Sequence, residues 1–313
     1  MKRAFTAVVL VAVLGMASFV CVGVLMSHSS SAVSQQQSSV SGPVQQLKIR
    51  DHYLGVITPG NPGGSGLTSF DDATKVKPTL VAFFEPFGDP FNAVAAARII
   101  NRGAFPLLQI NSRTVSPAAI AAGHYSKYLA QFAGSVRQLH RNIAISYGHE
   151  MNGPWYPWGY THVKAATFVK AWQVIHRAFA RAGAYNVTWV WTVNRSGGTS
   201  ADPDPWWPGK QYVDWVGVDG HYINNSDSFK VVFAPTIRQI RKVTKDPVLI
   251  AETGIRRETE QPAQIKNLLN NARGPGMLGV VWFNLKARYS WRMQGNVAAD
   301  HAYYDAAQAY LKS

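Results

Sequence analysis

Asn142-Ile143-Ala144-Ile145-Ser146-Tyr147-Gly148-His149-Glu150-Met151-Asn152-Gly153-Pro154-Trp155-Tyr156-Pro157-Trp158 changes character abruptly at Gly148. Before it lies a short apolar run of strand composition, Asn142–Tyr147. After it come a His-Glu pair and a loop rich in Pro and Trp. Such a run, bounded by glycine, reads as a buried strand. Seven further runs have the same character: Arg50–Ile57, Thr79–Phe84, Phe105–Asn111, Val187–Val193, Val213–Val218, Pro247–Ala251 and Met277–Phe283. Ala-rich or amphipathic stretches separate most of them. Helices are expected over Asn92–Arg102, Ser116–Gln138, Val163–Ala182, Pro235–Lys245 and Pro262–Ala272. Ser116 can cap, Pro117 suits a first turn, and Gly183 stops a helix. Asn194–Tyr212 is rich in Gly, Pro and Asp, with a short helix at best. Strands spaced about 26–45 residues apart, each followed by a helix or crossover, predict a single (β/α)8 TIM barrel. An open doubly wound sheet is the alternative, but no Gly-x-Gly-x-x-Gly follows the first strand, which removes its commonest dinucleotide use.

In such a barrel the chemistry stands where strands end. Only five glutamates occur in 313 residues, and two of them follow strand runs: Glu150 after the fourth and Glu252 after the seventh. Paired carboxylates across a cleft are what glycoside hydrolysis requires, one protonating the leaving oxygen and the other attacking carbon or activating water. Tryptophans near Glu150 offer flat apolar faces to sugar rings. His149-Glu150 does not open a zinc-protease motif, because Gly153 stands where the second His is needed and the segment ends a strand. No metal ligand set is visible, and the chemistry calls for no cofactor. Glu85, ending the second strand, is a third candidate, either a polar strand end or a contact to a sugar hydroxyl. Asp202, Asp204, Trp206 and Trp207 read as a packed rim, and Glu258 and Glu260 as solvated residues.

Gly148-His149-Glu150-Met151-Asn152-Gly153-x-Trp155-Tyr156-Pro157-Trp158 resembles the acid/base signature of glycoside hydrolase family 26. Ile250-Ala251-Glu252-Thr253-Gly254 is similar to that family's nucleophile strand, Tyr212–Gly220 to its sixth strand and Val281-Trp282-Phe283-Asn284 to its eighth. The resemblance runs from about Leu54 to Arg292. It implies a (β/α)8 barrel and a retaining endo-β-glycanase acting on β-mannan or mixed-linkage β-glucan. It implies Glu150 as general acid/base and Glu252 as nucleophile, with carboxyls about 5–5.5 Å apart. Glu150 should then titrate high and Glu252 low. His149, Trp155, Trp158 and Trp282 are implied to contact sugar, Trp282 as a platform. The family commonly has Tyr after the Asp-Gly of strand six; here His221 stands there with Tyr222 next, and either can take that role. A Trp-Glu-Pro-like end to strand three is replaced by Gln109-Ile110-Asn111. Asp-Trp-Arg near the C-terminus is replaced by Ser290-Trp291-Arg292. The competing reading is a non-catalytic polysaccharide or cell-wall binding protein on the same fold.

Lys2 and Arg3 precede an apolar or small-residue run, Ala4–Met26, which reads as a signal peptide or signal anchor over residues 1–26. Residues 27–46 are a Ser/Gln-rich linker, and residues 47–313 the catalytic domain. The domain is expected outside the cytoplasm, secreted or membrane-anchored. Cys21, the only cysteine, lies inside the apolar run, which excludes a disulfide framework. The 31 Lys and Arg against 17 Asp and Glu give a net charge of +14. These bases are scattered and form no nucleic-acid motif, so no nucleic acid partner is expected. The expected partners are a β-linked polysaccharide and an anionic cell envelope or membrane, met by a monomer.

Overall fold

Alternation of side chains along each strand decides this fold, because it gives every strand one face toward a central core and one toward covering helices. A computed structural model describes residues 52–256, 261–293 and 295–311. Eight parallel strands close into a barrel in sequence order: β1 (Tyr53–Ile57), β2 (Leu80–Pro86), β3 (Phe105–Asn111), β4 (Ile143–Tyr147), β5 (Val187–Asn194), β6 (Trp215–Asp219), β7 (Val248–Thr253) and β8 (Met277–Phe283). The expected (β/α)8 architecture is thus present. The expected segments 1–26 and 27–46, with Glu258 and Glu260, lie outside the described residues.

The helices are α1 (Ser65–Thr74), α2 (Ala93–Asn101), α3 (Pro117–Ala121), α4 (Ser126–Gln138), α5 (Ala165–Arg181), α6 (Phe229–Val232), α7 (Ala234–Val243), α8 (Gln261–Asn271) and α9 (Val297–Leu311). Ser116 caps α3 by accepting from Ala118 N, and Asn92 caps α2 by accepting from Ala95 N. The single helix expected over Ser116–Gln138 is two. Gly123 takes a left-handed backbone (φ 86°), and the amides of Gly123 and His124 turn back onto Ile120 O and Ala119 O. This ends α3 as a glycine stop ends any helix.

Two apolar clusters follow from the alternation. Tyr53, Leu80, Ala82, Leu107, Ala144, Val190, Trp215, Leu249, Ala251 and Val281 fill the barrel. Val81, Phe83, Ile145, Tyr147, Trp191, Val218, Ile250 and Trp282 pack outward with the helices. The registers shift in two places on β7: between Val248 and Leu249, and between Ile250 and Thr253. At the first, Gly279 of β8 pairs with Leu249 at φ 127°, and a Cβ there would lie 1.9 Å from Tyr53 O. Only glycine lets β1 and β8 close the ring at that point. Gly279→Ala is therefore expected to cost at least about 4 kcal/mol, in the exceptional range for point changes; a denaturant titration with an unchanged midpoint would contradict this.

Candidate active site

Glu150 follows β4 after the Gly148-His149 turn, and its amide bonds Thr192 O on β5 at 3.0 Å. Its own backbone is left-handed (φ 55°), which a non-glycine residue adopts at a cost of about 1–3 kcal/mol. The side chain is held from two sides. Trp155 Nε1 donates to Oε2 at 2.6 Å, and Asn194 Nδ2, at the end of β5, donates to Oε1 at 2.5 Å. Asn152, fully buried, fastens this corner: its Nδ2 donates to Asn194 O and Ala201 O, and its Oδ1 accepts from Asn194 N.

Glu252 owes its direction to the second shift on β7. By simple alternation it would face away from the barrel, one residue beyond the inward Ala251. The irregularity at Val218/Asp219 and Ile250/Thr253 brings Glu252 opposite Asp219 instead. A bulge of this kind re-aims a side chain at a rim. His221 Nε2 lies 3.9 Å from Glu252 Oε1. The His221 ring packs on Trp291, with centroids 4.3 Å apart, and meets the edge of Phe283 at 5.8 Å.

Asp219 completes a group of three carboxyls. It is fully buried at the inward end of β6, and neither carboxyl oxygen has a hydrogen-bond partner. Burial raises the affinity of all three for protons. For Glu150 the two donors oppose that rise. Glu252 is raised well above the usual carboxylate range by burial and then by the charge of Glu150. Asp219 is likewise raised well above it by burial and then by Glu252 and Glu150. Glu252, expected to titrate low, is thus raised along with Glu150. The hydrogen-bond donors are gathered at Glu150, whereas Glu252 has beside it only His221, which burial and Arg195 depress to about 3.

His149 and Trp155 join this mouth. His149 Nε2 lies 3.3 Å from Tyr156 OH, its ring faces Phe84 at 5.5 Å, and burial with nearby Arg113 depresses it to about 3. Trp155 is 44% exposed, so its indole is available to a ligand. Trp158 does not reach the mouth. It is fully buried, stacks on Tyr156 at 4.4 Å and donates Nε1 to His149 O at 2.7 Å, so it supports the loop from beneath.

Trp282 packs outward against Tyr303 of α9 and donates Nε1 to Trp291 O at 2.8 Å. Phe283, one residue on, belongs to the inner set and reaches His221. Of the two residues after Asp219-Gly220, His221 stands beside Glu252. Tyr222 is fully buried, with its hydroxyl 3.2 Å from Asn267 Oδ1.

Glu85 also turns away, because its register on β2 is outward. Oε1 accepts from Asn92 N at 3.1 Å at the start of α2, and burial raises the carboxyl to about 7. The folded chain thus holds a proton that the unfolded chain releases near pH 4.5. The stability this gives is complete below that pH and is lost as pH rises toward 7, amounting to about 3 kcal/mol. Glu85→Gln should flatten this fall and leave the variant the more stable at pH 8; parallel melting curves at pH 5 and pH 8 check it. Asp219, Asn194 and Phe283 belong to the site but were not singled out from the sequence. Their common signal is an inward register at the last position of a strand. Among the described residues no group of three or more His, Cys, Asp or Glu side chains is arranged to hold a metal ion.

Residues 110–304 match the family model described as Glycosyl hydrolase family 26. Endoglucanase H of Acetivibrio thermocellus is 25% identical over 275 residues, covering 81% of this chain and 30% of that protein. A mannan endo-1,4-β-mannosidase of Bacillus subtilis is 23% identical over 150 residues, covering 45% of this chain and 39% of that protein. The matched parts span about a third of the length of these relatives. Among solved structures, a modular endo-β-1,4-mannanase from Cellulomonas fimi superposes with a TM-score of 0.62 at 16% identity, over 85% of this chain and 72% of that one. A β-mannanase from Bacteroides ovatus gives 0.61 at 16% identity, over 85% and 92%. At these identities the likeness speaks to the fold alone.

Proposed function

The chain belongs to glycosyl hydrolase family 26 and is a glycoside hydrolase acting on O-glycosyl bonds, and from that premise we propose that it is a retaining endo-β-glycanase with Glu252 as nucleophile and Glu150 as acid/base. The observation that carries this reading is the meeting of Glu150, just beyond β4, and Glu252, re-aimed at the end of β7, at one end of the barrel, where the charge of Glu150 adds to burial in raising Glu252. Such a pair is what double displacement uses. The substrate classes are β-mannan and mixed-linkage β-glucan, in line with an endoglucanase and a mannosidase among the relatives. A binding-only role is less well served by this site, since it has no use for coupled buried carboxyls.

In the mechanism, Glu252 attacks the anomeric carbon while Glu150 protonates the leaving oxygen. Water then attacks the glycosyl-enzyme with Glu150 as base. Sugar hydroxyls donating to Glu252 would stabilise its anion and so keep the proton on Glu150. Asp219, kept neutral by burial, withholds a third negative charge from the cleft. His221, neutral beside Glu252, can hydrogen-bond without adding a positive charge.

Reducing-end release from a panel of purified β-glycans tests the activity, and the anomer first seen by NMR tests retention; an inverted first product would refute double displacement. Trp155→Phe removes a donor from ionised Glu150 and so raises its proton affinity. The alkaline limb of kcat/KM should move up by about one pH unit; an unmoved limb would detach Trp155 from the acid.

A further inference from the structure

The two ends of the barrel carry different charge. The connections leading from a helix into the next strand all lie at the end opposite the carboxylates, because the strands are parallel. Among the described residues these connections hold Lys75, Lys77, Arg102, Arg141, Lys245 and Arg273. The acids there, Asp214 and Asp246, are both engaged. Asp214 Oδ2 accepts from Trp189 N at 2.8 Å, and Asp246 is paired with Lys210 and accepts from Thr244 Oγ1. The last helical turns add Arg98, Arg137, Arg181, Arg241 and Lys242, against Asp72 and Asp71, the latter paired with Arg102, so the end as a whole stays basic. Tyr185, 82% exposed, projects from the same end beside Arg137 and Arg141. At the mouth, by contrast, the seven bases Arg113, Lys164, Arg195, Arg256, Lys286, Arg288 and Arg292 stand, among the described residues, with Asp89, Asp202, Asp204, Asp227 and the three clustered carboxyls.

A second observation is independent of charge. β1 begins at this basic end, so the upstream chain joins the barrel there. That chain contains the apolar run Ala4–Met26, and residues 27–51 lead from it to β1.

We propose that the basic end is a docking face for the anionic headgroups of a lipid bilayer, which directs the carboxylate mouth away from the membrane. The proposal rests on the expectation of an exported, anchored chain, and not on the substrate reading. Each Lys or Arg near such a surface adds about fivefold in affinity. A tyrosine suits the headgroup level, where its ring and hydroxyl find different surroundings. The charge asymmetry selects one orientation of the barrel against the surface.

The test uses the full chain with Cys21→Ser, carrying a dye at Tyr185→Cys or at Thr199→Cys near the mouth. It is reconstituted in nanodiscs with an acceptor at the headgroups. With phosphatidylglycerol present, energy transfer from the Tyr185 position should exceed that from Thr199. The difference should vanish in phosphatidylcholine alone. It should also vanish as salt rises from about 0.1 M to about 1 M, where the screening length falls from roughly 10 Å to 3 Å. Lys77→Glu with Lys242→Glu and Lys245→Glu should abolish it and leave hydrolysis of a soluble glycan unchanged. Equal transfer from both positions, or indifference to phosphatidylglycerol, overturns the proposal. If the chain is released from its apolar run, cosedimentation of the released form with phosphatidylglycerol vesicles replaces energy transfer. Salt-sensitive binding, weakened at least about tenfold by the three reversals, then supports docking. Binding to an anionic wall polymer with none to vesicles overturns it. Hydrolysis is measured in parallel, so loss of the glycanase reading is distinguishable from loss of the docking face.

Discussion

Glu252→Ala should lower kcat on a β-glycan by roughly a millionfold, the scale seen when a covalent nucleophile is removed from a catalytic unit. Glu252 reaches the mouth only because the ladder between β6 and β7 shifts by one residue. Asp219 is fully buried behind it, without a partner, so it cannot substitute by a small movement. The variant also removes a buried carboxyl and should not unfold the chain, since a desolvated carboxyl is itself a cost. Melting curves close to those of the parent would separate lost chemistry from lost fold. Added azide supplies the missing nucleophile from the cavity left by the side chain. It should restore turnover of an activated aryl glycoside and give a glycosyl azide of inverted configuration. Rescue without inversion, or full hydrolysis without azide, would remove Glu252 from the role of nucleophile.

Glu150→Gln should reduce turnover of an unactivated glycan by about 10²–10⁴-fold, the usual worth of positioned proton transfer. The amide can still accept from Trp155 or Asn194, so the local geometry has a replacement for one of its two bonds. An aryl glycoside with a good leaving group needs no proton in the first step. It should give a fast burst followed by slow release, because the base for the second step is missing. The alkaline limb of the pH profile should disappear with the residue that causes it. A Glu150→Gln enzyme that loses both substrates equally would point to a binding role instead.

The strand pattern was largely legible because β-branched and aromatic runs coincide with single barrel strands. β3 and β8 match the expected Phe105–Asn111 and Met277–Phe283 in both bounds. The position of Glu150 just after β4 follows from the same pattern; Glu252, expected after a strand ending at Ala251, lies inside β7, next to its last residue. Direction was less legible than position. Trp282, implied by the resemblance as a sugar platform, Tyr222, the alternative to His221, and Glu85, open between a polar strand end and a sugar contact, are all turned outward or inside by period-two alternation and local shifts. The shifts depend on hydrogen bonds between strands distant in sequence, so local composition carries little trace of them. Asp219 passed unnoticed for a different reason: the scarcity of glutamate drew the reading to Glu and away from a buried aspartate two strands from Glu150. The helices α1 and α9 were missed because Ser65–Thr74 lacks a side-chain cap, and Val297–Leu311 is Ala- and Tyr-rich without a sharp apolar stripe.

The left-handed backbone at Glu150 has an evolutionary corollary. Glycine and asparagine occupy such a conformation with less strain than glutamate does. Under neutral drift, substitutions to either would be favoured by stability at this position. A chain that had ceased to need a carboxylate here would gain by giving it up. On the proposed acid/base role, the strain at Glu150 is stability given up for turnover, a cost that adhesion to a glycan alone would not require.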